Sequence, residues 1–263
     1  MENKAHYFKD VTLLVTHYNR SASLARLLRA FKELNCSFEE IIVSDDASKP
    51  EHLNQLKALQ EEVPFRLVSA PTNGGLGHNI NKGQSAVRTP YTLYVQEDFV
   101  PTEEFAAHFE DGYQIMQTES EWDIIRFYAY NYYPYLKPYK KGFSEMLFKP
   151  WYTKAAKLHY YSDHPHLRRS NFLEKFGKYV EGKKPDRTEY LMCVRFLQKK
   201  GKGLFYHDFN KLFVQKNSSS EPSTWQQKSW KQSKNPFVAF IRTLYRQIKY
   251  NFDINFSGQK APF

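Results

Sequence analysis

Four polar clusters carry the chemistry open to this chain: Thr16-His17-Tyr18-Asn19-Arg20, Asp45-Asp46, Asn73-Gly74-Gly75 and Gln96-Glu97-Asp98. Each stands at or just after the end of a short apolar run. Carboxylates placed this way accept charge-assisted hydrogen bonds from a ring N–H or from paired ribose hydroxyls. They also suit a hard cation, since Mg²⁺ commonly binds through one or two carboxylates plus substrate phosphates. A Gly-Gly turn tolerates positive φ and lets backbone approach a ligand closely. Together the clusters point to a nucleotide-linked substrate, because open α/β folds bind nucleotides at the carboxyl edge of the sheet.

The runs that position these clusters are Val11 to Val15, Ile41 to Val43, Phe65 to Val68 and Tyr91 to Val95. Between them, Leu24, Leu27, Leu28, Phe31 and Leu34, and then Leu53, Leu56 and Leu59, recur at helical spacing. Strands alternating with helices predict an α/β, Rossmann-like, mostly parallel sheet flanked by helices. Asp46 or Ser48 is expected to cap a helix starting near Pro50, with an Asx turn at one aspartate. Thr102 is expected to cap a helix bearing Phe105, Phe109 and Met116.

The chain has 263 residues, enough for a substantial core in one large domain with appendages. Residues 1–216 form the expected domain, in two halves (1–100 and 101–216); residues 217–263 form a linker and a C-terminal extension. No apolar stretch approaches the roughly 20 residues of a membrane span, and Met1-Glu2-Asn3-Lys4-Ala5 is too polar for a signal peptide, so the cytoplasm is expected. Cys36 and Cys193 read as buried free thiols. A net charge of +10 favours polyanions, phosphorylated substrates and anionic membranes among them. There is no nucleic-acid motif, and no nucleic-acid partner is expected.

Val11 to Arg20 (Val-Thr-Leu-Leu-Val-Thr-His-Tyr-Asn-Arg), then Ile41 to Ser48 (Ile-Ile-Val-Ser-Asp-Asp-Ala-Ser), resemble the opening of a family 2 glycosyltransferase. Asn73-Gly74-Gly75 with Asn79, and Tyr91 to Asp98, resemble that family's Asn-x-Gly loop and the strand ending in its metal-binding Asp-x-Asp motif. The resemblance implies an inverting enzyme of GT-A fold, a UDP- or GDP-linked sugar donor, and a divalent cation, Mn²⁺ or Mg²⁺. It makes Asp98 the direct metal ligand and gives Asp45, with Asp46 second, the base and ribose. Thr16 to Arg20 would lie beside the base, His17 standing where the family often has threonine. The sequence departs from the motif at Gln96, with Glu97 in the middle. Gln96 suits a ribose hydroxyl but replaces a carboxylate poorly at a metal. Taken alone, Glu97 and Asp98 also fit a solvated turn.

The resemblance continues through Arg168-Arg169-Ser170-Asn171-Phe172-Leu173, Phe176-Gly177-Lys178-Tyr179, Thr188-Glu189-Tyr190, Arg195 and Gly201. It places Glu189 as the base that takes the acceptor's proton, with Asp186 in reserve and Thr188 standing where a second acid is usual. A helical Glu opposing the helix dipole is the plainer alternative for Glu189. Some relatives use a late histidine as an extra metal ligand, which makes His207 a candidate. From Phe127 to Tyr161 the chain is crowded with aromatics; these either form a packed loop or face a sugar acceptor, with Trp151 the acceptor candidate.

After Asn217-Ser218-Ser219-Ser220 and Pro222, a linker by composition, Phe237, Phe240, Ile241, Leu244, Tyr245 and Ile248 make an apolar stripe opposed by Arg242, Arg246 and Lys249. Such a helix either docks on its own domain or makes peripheral contact with an anionic membrane. The resemblance to family 2 glycosyltransferases implies as acceptor a glycan or a lipid-linked glycan of bacterial cell-surface polysaccharide or lipopolysaccharide. The competing readings are a weak nucleotide- or glycan-binding relative and a nucleic-acid-binding protein.

Overall fold

The structure is a computed structural model that describes residues 5–217, 221 and 236–256, without the side chains of 236–240 and 242. The linker expected at 218–220 and Pro222, the amino-terminal residues 1–4, and the side chains of Phe237, Phe240 and Arg242 lie outside the described residues.

The first half runs β1 (His6–His17), α1 (Ser21–Glu33), β2 (Cys36–Asp45), α2 (Pro50–Glu62), β3 (Arg66–Ser69), α3 (Gly75–Ala86) and β4 (Tyr91–Gln96). The second half adds β5 (Phe99–Pro101), α4 (Phe105–Thr118), β6 (Ile124–Arg126), β7 (Leu136–Pro138), β8 (Phe143–Met146), a 3₁₀ segment (Ala155–Tyr160) and β9 (His166–Arg169). It ends with α5 (Phe172–Phe176), α6 (Pro185–Gln198), β10 (Gly203–Tyr206), β11 (Phe213–Gln215) and α7 (Pro236–Phe256).

Nine strands form one sheet in the order β3-β2-β1-β4-β9-β6-β10-β8-β7. β1 to β4, β6, β10 and β7 run one way; β9 and β8 run against them. β5 and β11 pair separately, antiparallel. The expected mostly parallel sheet flanked by helices is therefore present, with the reversed strand β9 wedged between β4 and β6.

Burial on both faces explains the near-continuous apolar strands. Successive side chains of a strand point to opposite faces, so Leu13 and Val15 of β1 join one core while Leu14 joins the other. The first core takes the α1 stripe Leu24, Leu27, Leu28 and Phe31 and a set of edge-on rings around Phe8, Phe38 and Phe109. The second collects Tyr161, Phe172, Phe176 and Phe196 beneath α6. Burying each such ring is worth about 1.5–3 kcal/mol, which fixes the sheet edges that carry the polar clusters. Cys36 and Cys193 are buried free thiols, as expected.

Two local expectations fail. Residue Glu104, not Thr102, precedes α4, because Thr102 is used to tie β5 to the β11 side: its N–H donates to the Leu212 carbonyl at 3.0 Å and its hydroxyl to the Lys211 carbonyl at 2.5 Å. Lys49 precedes α2 without a side-chain cap, since Asp46 and Ser48 are engaged elsewhere and Pro50 brings no N–H to satisfy.

Candidate functional site

A cleft of about 1120 Å³ opens where the carboxyl ends of β1 and β4 meet α3, α6 and the 3₁₀ segment. Its wall on the β1 side includes Thr16, His17, Tyr18, Asp46, Asn73 and Gly75. The two aspartates at the end of β2 divide their duties in the reverse of the expected order. Asp46 lines the cleft, and its carboxylate accepts from the Gly74 N–H at 3.0 Å and the Gly75 N–H at 2.8 Å. Gly75 has φ +79°, so this turn into α3 requires glycine. Asp45 is fully buried behind the wall, where its Oδ2 accepts from the Ser48 N–H at 3.1 Å, the Asx-type turn. Its Oδ1 lies 2.8 Å from His17 Nδ1. His17 Nε2 accepts from the Arg20 N–H at 3.3 Å, which leaves the ring proton on Nδ1, facing Asp45. Burial opposes charge on Asp45, yet these hydrogen bonds hold its carboxyl below the usual aspartate range. Asp45 is therefore a positioning group for His17 and the loop rather than a ligand contact. Asn19, at φ 53°, belongs to the same framework: its N–H donates to Ser48 Oγ at 2.8 Å, and its Oδ1 accepts from the Lys49 N–H at 2.8 Å.

Arg20 joins the donor side to the acidic tip of β4. Its Nη1 lies 3.2 Å from Asp98 Oδ2 and 3.6 Å from Glu97 Oε1. Its Nη2 donates to Asn217 Oδ1 at 2.5 Å and to the Glu221 carbonyl at 3.2 Å. The Glu221 carboxylate in turn takes the free amides at the start of α1, accepting from the Ala22 N–H at 3.0 Å and the Ser23 N–H at 2.9 Å. Burial, then the charge on Asp98, pushes the Glu97 carboxyl up to about 8 against the pull of Arg20.

The donor set fits a divalent cation through one carboxylate. Asp98 Oδ2 is occupied by Arg20 and by Gln215 Nε2, which donates at 2.8 Å, whereas Asp98 Oδ1 is buried at the cleft without a hydrogen-bond partner among the described residues. Gln96 turns away, its Nε2 donating to Asp163 Oδ2 at 3.2 Å. No cluster of three or more His, Cys, Asp and Glu side chains suited to a metal occurs among the described residues. His207 does not join Asp98: it is exposed, its N–H donates to the Gly142 carbonyl at 2.9 Å, and its ring packs toward Tyr132.

The second half of the chain brings Glu189 and Asp186 into the same cleft, along one face of α6. Asp186 is exposed in the first turn of the helix; Glu189 stands deeper. Glu189 Oε1 accepts from the Asp163 N–H at 3.3 Å, so two acids and Gln96 converge from β4, α6 and the loop before β9. Burial, then the charge of Glu189, raises the Asp163 carboxyl well above the usual aspartate range. Arg126, 2 % exposed, lies in the wall with its Nε unpartnered among the described residues. Burial, then Arg126, pushes His164 down to about 3, so that ring is neutral at physiological pH.

Trp151 lies outside this cleft, 72 % exposed on the loop before the 3₁₀ segment, with Lys149 over its ring. The aromatic segment around it is chiefly packing: Tyr133 is buried and Tyr135 stacks on Tyr152 at 3.8 Å, while Tyr130 reaches the cleft. Sequence reasoning missed Asp163, Arg126, Tyr130 and Gln215, and on α7 it missed that Arg246 and Tyr250 line the cleft. The run Ser162-Asp163-His164-Pro165 signals a turn, and nothing in its composition marks one member as facing an acid on α6.

With this geometry, a match to Glycosyl transferase family 2 over residues 12–177 decides the family. The chain belongs to it. The fold agrees: a mannosyltransferase from Pyrobaculum calidifontis, solved with GDP-Man and Mn²⁺, superposes with a TM-score of 0.57 at 14% identity, over 97% of this chain and 66% of that one. S. aureus TarS 1–349, solved with UDP-GlcNAc, gives 0.60 at 13% identity over 94% and 74%. This chain thus spans just under two thirds of the mannosyltransferase. Both neighbours have the GT-A architecture. No curated protein matches the chain.

Proposed function

We propose that this family 2 member is an inverting glycosyltransferase that moves a sugar from a UDP- or GDP-linked donor to a glycan or lipid-linked acceptor of cell-surface polysaccharide or lipopolysaccharide. The observation that carries this reading is that Asp46, Asp98 and Glu189 share one cleft. The presence of GDP-Man with Mn²⁺ in one structural neighbour and UDP-GlcNAc in another supports the donor class. Residues 1–100 act as the donor half and 101–216 as the acceptor half, and the enzyme works in the cytoplasm at the inner membrane face.

The loop after β1 and the Asp46-braced turn hold the nucleotide, while Gln96 stays tied to Asp163. Glu189 accepts the proton from the acceptor hydroxyl as that oxygen attacks the anomeric carbon; the new C–O bond forms on the face opposite the departing diphosphate, inverting the centre. Asp98 would hold a divalent cation, which when bound supplies charge neutralisation at the leaving diphosphate. Arg20 contributes a fixed positive charge beside Asp98. Asp163, whose carboxyl is raised above the usual aspartate range by burial and then by Glu189, stands beside that base with its N–H donated to Glu189 Oε1.

Gln96 and Thr188 favour a second reading, a binding protein with little turnover. Gln96 bonds Asp163 rather than presenting a carboxylate, and Thr188 is buried with its hydroxyl donating to the Val180 carbonyl at 3.1 Å. Thermal shift with UDP and GDP, with and without Mn²⁺, followed by slow sugar-nucleotide hydrolysis, separates the two. An enzyme shows both binding and hydrolysis, and Glu189→Gln then lowers turnover by about 10²–10⁴-fold with the nucleotide shift intact. Nucleotide binding with no hydrolysis in the wild type favours the second reading. Retained turnover in a folded Glu189→Gln protein removes the base assignment.

A further inference from the structure

α7 is docked the wrong way round for a helix that belongs to a core. At about 100° per residue, Ile241, Leu244, Tyr245, Ile248, Phe252 and Phe256 fall within an arc of about 120°. Each of the six is between 50 and 70 % exposed. The opposite, polar face makes the contacts with the domain. Gln198 Nε2 donates to the Asp253 and Ile254 carbonyls at 3.1 and 3.0 Å, Tyr190 donates to Asp253, and Lys157 Nζ donates to Asn251 Oδ1 at 3.1 Å. Arg246 and Tyr250 line the cleft. An amphipathic helix normally hides its apolar stripe and shows water its polar face. Here the arrangement leaves a row of aliphatic and aromatic side chains facing outward, larger than scattered surface apolar residues require.

A second feature adjoins it. The loop at residues 149–154 is tied to α7, because Gln247 donates to the Thr153 carbonyl. That loop carries Trp151, 72 % exposed, between the exposed Lys149 and Lys154. Tryptophan and tyrosine concentrate at the headgroup level of membranes, and lysine reaches anionic headgroups.

We propose that the outer face of α7 and the Trp151 loop together form a docking surface for a bilayer containing anionic lipid. The charge balance selects this occupant. A second copy of the chain would bring another net charge of +10 to the contact, whereas an anionic surface is attracted by it. No helix among the described residues is long and apolar enough to cross a membrane, so the contact lies in the interface plane, with the apolar stripe at the acyl boundary. The acceptor class follows where the glycosyltransferase reading holds, for this part rests on it. The same helix faces lipid on one side and contributes Arg246 and Tyr250 to the acceptor end of the cleft on the other. The cleft therefore meets an acceptor presented from the bilayer, a lipid-linked glycan.

The test uses the full chain with phosphatidylcholine vesicles, with and without phosphatidylglycerol, in a co-sedimentation assay. The wild type should sediment with the anionic vesicles, and binding should weaken with salt. The variant Leu244→Gln/Ile248→Gln/Phe252→Gln, and separately Trp151→Ala/Lys149→Gln, should each bind about tenfold or more weakly. UDP and GDP thermal shifts on every variant report whether the cleft remains folded. Binding of the triple variant equal to wild type, or equal binding to neutral and anionic vesicles, overturns the proposal. So does a lipid-free dimer that the triple variant dissolves, since the stripe would then face a second copy. Vesicle binding without any nucleotide shift upholds the membrane surface and refutes the enzymatic reading instead.

Discussion

Replacing Asp46 by alanine tests whether one carboxylate organises the donor side of the cleft. Asp46 is 2 % exposed and receives two backbone N–H groups, from Gly74 at 3.0 Å and Gly75 at 2.8 Å. A hydrogen bond to a charged group contributes about 1.5–3 kcal/mol, which would set an upper limit of about 3–6 kcal/mol for the pair. Two features reduce it. The Gly75 N–H has a second acceptor in Asn73 Oδ1 at 3.2 Å, and the turn itself is only partly buried, so water satisfies part of what is lost. A loss of about 2–3 kcal/mol is expected, which for a chain of this size lowers Tm by about 5–10 °C. Asp46→Asn keeps one amide oxygen as acceptor and should lose about half as much. Urea denaturation gives the stability difference, and the nucleotide-dependent thermal shift gives the effect on the site, which should fall further than stability alone accounts for. If Asp46→Ala remains within about 0.5 kcal/mol of wild type, or if Asn and Ala are equally harmful, the carboxylate is not bracing the turn in the way the distances imply.

Asp98→Asn should abolish the Mn²⁺-dependent part of the nucleotide thermal shift while keeping the metal-independent part; an unchanged Mn²⁺ response would remove Asp98 as the ligand. The Asp163 carboxyl is raised in the folded protein, so its contribution to stability is full below the usual aspartate range and declines as pH rises toward its folded value. Asp163→Asn should therefore flatten the loss of stability as pH rises above the usual aspartate range, measured by urea denaturation at each pH, whereas parallel curves would contradict it. Gly77→Ala would put a Cβ 2.5 Å from the Val180 carbonyl oxygen, at the contact of α3 with the segment before α6. Overpacking of that kind costs about 1–3 kcal/mol, and a neutral thermal melt would show that this backbone yields easily.

The first hundred residues were legible because β4 and the carboxyl halves of β1 and β2 are largely buried on both faces and announce themselves as branched apolar runs followed directly by their polar tips. The placement of Gln96, Glu97 and Asp98 beside the β1 loop follows from β1 and β4 being neighbours. What pattern could not decide was the orientation of adjacent polar side chains. Asp45 and Asp46 differ by one position, and strand alternation sends one behind the wall and the other into the cleft. The second half was less readable because β6 and β9 span only three and four residues, too short for a period. Their arginines also mislead when read as surface charge. Arg168 is fully buried, its guanidinium bonded to Gln84 and Tyr179, and Arg126 is buried in the cleft wall. The α7 stripe was visible in sequence, but which side of it met the protein depended on polar partners on α6 and the 3₁₀ segment.

The clasp between Arg20 and the segment after β11 bears on how this chain is divided in practice. Cutting after residue 216 looks natural from the serine-rich composition that follows. Yet such a shortened protein would lose the carboxylate seated on the first turn of α1 and both oxygen acceptors of Arg20's Nη2. A guanidinium released from those contacts would be free to lean further onto Asp98. Any cation affinity at Asp98 would then be weaker in a trimmed protein than in the 263-residue chain, and metal titrations are best made on the latter.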